Sequence, residues 1–231
     1  MGRRLTAAGF ALGCALALAG CGSAAPARHS QATHSQETQA GSCAGDPASF
    51  TGARTVGSVD LDGDGSPDPV RVTPTSQECA ARVVARLAHG YAGADVQPGP
   101  VTVSGVALRG HHGALLVTRQ DHPRGGYQVR VFAVGPDGLV ELKDGDQPLV
   151  PFVATDTRPI PYTVDCRGGA IIVDQAVAKA GGRWDIERTT YAVHGTTATK
   201  AGSQVVARTL SPAQADTRMT VGGAVFPSCR A

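Results

Sequence analysis

Along most of the chain, apolar and polar residues alternate in short runs that are cut by Gly and Pro. Period-two runs of four to eight residues, bounded by turn formers, predict half-buried strands. The pattern predicts them at 55–60, 69–73, 101–108, 114–119, 127–134, 139–142, 149–154, 163–166, 170–177, 184–193, 204–210 and 220–226. Two hairpins are expected. In one, Val131–Val134 turns through Gly135-Pro136-Asp137-Gly138 into 139–142; in the other, 171–177 turns through Lys179–Arg183 into 184–193. One segment has a different period. Ala80, Val83, Val84 and Leu87 recur at helical intervals behind Thr75 and Glu78, which stand at capping-box spacing, and Gly90 is a natural stop. This predicts one short helix near residues 76–89.

A faint repeat runs through the same pattern. Gly113-Ala114-Leu115-Leu116-Val117 returns as Gly169-Ala170-Ile171-Ile172-Val173, and Phe132-Ala133-Val134 returns as Tyr191-Ala192-Val193. Such spacing suggests a repeated unit of several strands. The chain has room for too few units to close an ordinary propeller of four to eight blades. The expectation is therefore an all-β fold: an antiparallel meander, a β-sandwich or an incomplete propeller-like stack.

The N-terminus is built differently. Met1-Gly2-Arg3-Arg4 precedes an apolar run from Leu5 to Ala19, which is shorter than the ~20 residues of a membrane span. The run ends in Leu18-Ala19-Gly20-Cys21, which resembles the lipobox of bacterial lipoproteins. That resemblance implies cleavage before Cys21, acylation of its sulfur with palmitate-like chains, and anchoring to the extracytoplasmic face of the cell membrane. Two or three acyl chains hold a protein durably, whereas one alone binds reversibly. The domains expected are a lipoprotein signal peptide at 1–20, a disordered tether at 21–42 and a β-rich extracytoplasmic domain at 43–231. The tether holds no large apolar residue, so burial cannot offset its ordering entropy. As a flexible coil it spans roughly 25 Å.

Charge and cysteines narrow the classes further. Loss of Arg3 and Arg4 with the leader leaves 19 basic and 19 acidic side chains. A neutral chain argues against nucleic acid and against a polybasic membrane patch. Beyond Cys14 and Cys21, four cysteines remain: Cys43, Cys79, Cys166 and Cys229. An even set in an exported chain points to disulfides, with three possible connectivities. Cys43–Cys79 with Cys166–Cys229 is preferred, since each bond would tie one end of the domain to its body. A four-thiolate zinc site lacks any C-x-x-C spacing.

One loop carries chemistry. Asp60-Leu61-Asp62-Gly63-Asp64-Gly65-Ser66-Pro67-Asp68 places four carboxylates in nine residues, which repel one another unless a cation neutralises them. Carboxylates of Asp60, Asp62, Asp64 and Asp68, with the Ser66 carbonyl, offer the hard oxygens that calcium prefers. Arg71 stands where an EF-hand has its bidentate Glu, and strands flank the loop. The segment is instead similar to the calcium loop of FG-GAP and VCBS-type β repeats. That resemblance implies one calcium site between two strands, although those families usually repeat the motif and this chain has it once.

No catalytic residue stands out. There is no G-x-S-x-G, H-E-x-x-H or P-loop. His111-His112 are adjacent, so on a strand they would face opposite ways. Asp121-His122-Pro123 lies in another Gly/Pro-rich loop. The function expected is a lipid-anchored envelope protein that serves as a binding or accessory module for an unknown envelope ligand or protein. The alternative is an envelope hydrolase, and convergence of His111, His112, Asp121 and His122 in one concavity would favour it.

Overall fold

The computed structural model describes residues 52–219, except 77, 78, 124, 151 and 154–156. Within them the chain forms three four-stranded antiparallel meanders in succession. The first sheet is β1 (Arg54–Val59), β2 (Asp68–Thr73), β3 (Arg82–Leu87) and β4 (Gly90–Asp95). The second is β5 (Thr102–Val106), β6 (Leu115–Asp121), β7 (Tyr127–Gly135) and β8 (Gly138–Glu141). A two-stranded ribbon follows, β9 (Lys143–Asp144) with β10 (Gln147–Pro148). The third sheet is β11 (Tyr162–Arg167), β12 (Ala170–Lys179), β13 (Arg183–His194) and β14 (Thr197–Leu210), and helix α1 (Pro212–Met219) comes after it.

The second sheet is the filling of the stack, because its alternate residues enter two different cores. Leu116, Phe132 and Leu139 join Val59, Val70, Val83 and Ala92 of the first sheet. Leu115, Val117, Val129 and Val131 join Val164, Ile171, Val173 and Tyr191 of the third. A sheet buried on both faces accounts for the unbroken apolar run Ala114-Leu115-Leu116-Val117, in which each residue is at most 6% exposed. Strand β1 lies against β5, and β4 against β8. The first pair is so close that a Cβ on Gly105 would meet the Val59 side chain at 2.6 Å.

On its other face the third sheet carries α1. Ala215 and Met219 of the helix are buried with Ala176 and Ile186, beside Trp184 and Leu210. Next to this patch the face turns polar, and Arg188 grips Asp174 through two hydrogen bonds of 2.7 Å. These two residues lie opposite each other on β12 and β13, as a stabilising cross-strand pair does.

The all-β antiparallel meander is as expected, but the helix is elsewhere. Residues 82–87 of the expected 76–89 helix are strand β3, and Ala88-His89 make the turn into β4. Val83, Val84 and Ala85 are all at most 2% exposed, so this segment is buried on both faces. Such a run satisfies helical spacing by accident, and two β-branched valines at its centre suit a strand. Glu78 of the expected capping box lies outside the described residues; beside it the Ser76 hydroxyl accepts the Cys79 N–H at 3.0 Å.

Both expected hairpins form, with Gly135 opposite Gly138 and Lys179 opposite Arg183. The strand expected at 204–210 is the end of the longer β14. The one expected at 149–154 reduces, among the described residues, to a single bridge between Val153 and Tyr127. The strand expected at 220–226 lies outside the described residues, as do the leader and the tether.

Candidate functional site

The 60–68 loop joins β1 to β2 at one end of the first sheet. Leu61, 2% exposed, is its hydrophobic plug and packs in the core shared by the first two sheets. With Leu61 turned inward, its acidic neighbours are left at the surface or at its edge. The Asp60 carbonyl also accepts the Ala114 N–H at 2.8 Å, which ties the loop to the turn ahead of β6.

The carboxylates organise the backbone. Asp60 accepts the N–H groups of Gly63 and Gly65 on its two oxygens, at 2.8 and 3.1 Å. Asp64 accepts the Ser66 N–H at 2.7 Å, and Asp68 accepts the Leu61 N–H at 2.7 Å. Asp62 reaches across to accept the Ala88 N–H at 3.1 Å, in the turn between β3 and β4. The chain reverses at Gly65, whose φ of +87° is a left-handed conformation that favours glycine.

The predicted ligand set is only partly brought together. Ligand atoms of Asp60, Asp62 and Asp68 lie within 4.8 Å of one another. Asp64 is outside that group and serves the Ser66 N–H. Ser66 itself is exposed. Asp68 is the buried member, at 5% exposure. Burial pushes its carboxyl above the usual range; the Leu61 N–H opposes this, and the negative charges of Asp62 and Asp64 add to the rise. Three carboxylates this close, one of them desolvated, are a poor arrangement for anions alone and a good one for a hard divalent cation. Each carboxylate also keeps lone pairs beyond the N–H bonds it accepts.

The histidines do not converge. His111 lies in the turn before β6, its Nδ1 3.1 Å from the Gly113 carbonyl and its Nε2 3.1 Å from the Gly195 carbonyl in the β13–β14 turn. It therefore links the second sheet to the third. His112 lies beside Gly63 of the acidic loop. Asp121 and His122 are elsewhere, on the wall of a cavity of about 740 Å³. Asp121 there is paired with Arg119 at 2.8 Å, and His122 stands edge-on to Phe152 at 5.7 Å. Among the described residues, no Ser, Thr or Cys lines that cavity.

Cys79 and Cys166 are both buried and both disulfide-bonded. Cys21, Cys43 and Cys229 lie outside the described residues. No described helix is long and apolar enough to cross a membrane.

Several contributors to these sites have no signature along the chain. The Ala88 N–H meets the acidic loop only because β3 pairs with β2 in the first sheet, and the Gly113 backbone only because the second sheet stacks on the first. Gln120 and Phe152 meet at the cavity from segments 32 residues apart. No protein family, curated protein or solved structure matches this chain.

Proposed function

We propose that this chain is an exported, lipid-anchored envelope protein that acts as a binding or accessory module and holds one structural calcium in its 60–68 loop. The observation that carries the calcium reading is the convergence of Asp60, Asp62 and Asp68 within 4.8 Å, with Asp68 buried. Asp62 matters doubly, because it also holds the β3–β4 turn through Ala88. A cation there would neutralise the loop and join both turns at that end of the first sheet. Its role is to stiffen the fold.

The anchor rests on Leu18-Ala19-Gly20-Cys21 closing an apolar leader. The disulfide pairing proposed is Cys43–Cys79 with Cys166–Cys229. Cys79 precedes β3 and Cys166 lies in β11, so each bond would staple a terminal segment to a different sheet. The hydrolase alternative has one observation in its favour, the presence of Asp121 and His122 in one cavity. Against it, Asp121 is engaged by Arg119, and no described nucleophile accompanies the pair.

Melting of the mature protein in chelator, in millimolar calcium and in millimolar magnesium tests the metal. An exported site lacking a twelfth-position carboxylate should be weak, with Kd around 10⁻⁴–10⁻³ M. A few millimolar calcium should then add about 1 kcal/mol. Identical melting in all three would reduce the loop to an acidic turn. Replacing Cys21 by Ala should release the protein from membranes, and unchanged membrane fractionation of that variant would overturn the anchor.

A further inference from the structure

We infer that the cavity between the β4–β5 linker and the β6–β7 turn is a subsite for a neutral carbohydrate ring. This rests on the reading of the chain as a binding module and names its ligand class. The first observation is Gln120, 8% exposed in the cavity wall. Its Nε2 donates to the Gln97 carbonyl at 2.7 Å, while its Oε1 is buried without a partner. An acceptor left in that state is costly, and an occupant's hydroxyl would relieve it once the amide, closed off in the empty protein, turns toward the cavity it lines.

The second observation is the rest of the lining. Gln97 and Gln128 are neutral amides, and the Asp121 charge is offset by Arg119 at 2.8 Å. Among the described lining residues there is therefore little to draw an ion, and much that can exchange hydrogen bonds with hydroxyl groups. Phe152 supplies the opposite character. It is 46% exposed, among the few large apolar side chains that the described residues leave at the surface, and His122 stands edge-on to it. A sugar ring has both faces of this chemistry: a flat C–H surface to lie on an aromatic ring, and hydroxyls at its rim. The volume, about 740 Å³, is that of a small-molecule site.

An extended peptide fits less well. Strand addition needs a free backbone edge, but at this rim Tyr127 exchanges both its backbone groups with Val153, and the His122 N–H donates to the Gly126 carbonyl.

The test is calorimetry and ligand-observed NMR on the mature protein, with cello-, malto- and chitohexaose as probes and a Gly/Pro-rich hexapeptide for comparison. At least one glycan should bind saturably. Phe152→Ala should weaken it about tenfold or more, which corresponds to about 1.4 kcal/mol, and Gln120→Met should weaken it similarly. Lys200→Gln, exposed on β14 and outside the cavity lining, should leave glycan affinity unchanged. If Gln120→Met does not fold, the exposed Phe152 decides alone. Failure of every glycan, or glycan affinity indifferent to Phe152→Ala, overturns the inference. Phe152-dependent binding of the peptide alone overturns the ligand class and leaves the binding-module reading standing.

Discussion

Gly113 is pressed against Leu61: a Cβ on Gly113 would drive into the Leu61 carbonyl, and the residue holds φ at +70°. The plug of the acidic loop is thus seated directly on the turn that opens β6. Gly113→Ala should cost at least about 2 kcal/mol, since left-handed strain alone is worth roughly 1–2 kcal/mol and the clash is with backbone. Gly110→Ala is the matched control, with φ at +81° and nothing within 4 Å of the added carbon. Chemical denaturation compares the two. Equal losses would mean that strain acts alone and the seat on Leu61 contributes nothing.

The stack shows what the one-dimensional pattern contains and where it stops. Strands with clean alternation, such as β7, were legible together with the glycines that end them. The repeat is real at the level of strands: Leu115-Leu116-Val117 and Ile171-Ile172-Val173 lie on the second strands of their sheets, Phe132 and Tyr191 on the third. On the second strands it is one residue out in facing, while Phe132 and Tyr191 agree. Leu116 and Phe132 point toward the preceding sheet, and so do Ile171 and Tyr191, whereas the matching apolar letters align Leu115 with Ile171. In a sheet buried on both sides, successive residues are all apolar, so composition cannot tell one face from the other. The same degeneracy made Val83-Val84-Ala85 resemble a helix. At the acidic loop, the carboxylates were legible but their convergence was not, because Asp64 turns to the Ser66 N–H.

The helix that forms, α1, has its own start signal directly after β14. Ser211-Pro212-Ala213-Gln214 is a capping box with Pro at the first helical position. The Ser211 N–H donates to Gln214 Oε1 at 2.9 Å, and the Gln214 N–H donates to Ser211 Oγ at 3.3 Å. Ser211→Ala should cost about 1 kcal/mol, and Ser211→Asp should restore most of it. Loss of α1 packing would also expose Ile186, so accelerated hydrogen exchange on β13 near Ile186 should accompany the Ala change. Unaltered exchange there would show that α1 does not shield the third sheet.

Tyr191 sets an alkaline limit. Its hydroxyl donates to Asp144 at 2.9 Å, tying the third sheet to β9, and its ring is 7% exposed. Burial first, then the hydrogen bond and the negative charge of Asp144, push its pKa up to about 12 from 10.0. The folded state therefore holds this proton more tightly than the unfolded state does. Its contribution is fully present below pH 10 and is lost as pH rises through 12, on the order of 2 kcal/mol in all. Tyr191→Phe should lower stability at pH 7 by about 1 kcal/mol for the lost hydrogen bond and flatten the decline between pH 10 and 12. A decline of the same size in both proteins would assign it to other groups.

Asp68 gives the opposite arrangement to a usual surface carboxylate. Burial and the charges of Asp62 and Asp64 raise its pKa in the folded protein, so in chelator its contribution is greatest below its ordinary value of 3.8 and is lost as pH rises through the raised one. At neutral pH the ionised, desolvated Asp68 is a burden on the metal-free fold. Asp68→Asn removes that charge and keeps an oxygen for the Leu61 N–H, the 2.7 Å bond that starts the loop. In chelator the variant should melt above the parent at pH 7, and the gap should shrink as the pH is lowered toward 4. In millimolar calcium the order should reverse, since the parent gains about 1 kcal/mol from the cation and the variant has lost a ligand. A crossover of this kind cannot arise from a mere loss of packing, which would lower the variant under both conditions. If the variant is less stable in chelator and in calcium alike, the Asp68 carboxylate is a structural acceptor for Leu61 and the loop holds no cation.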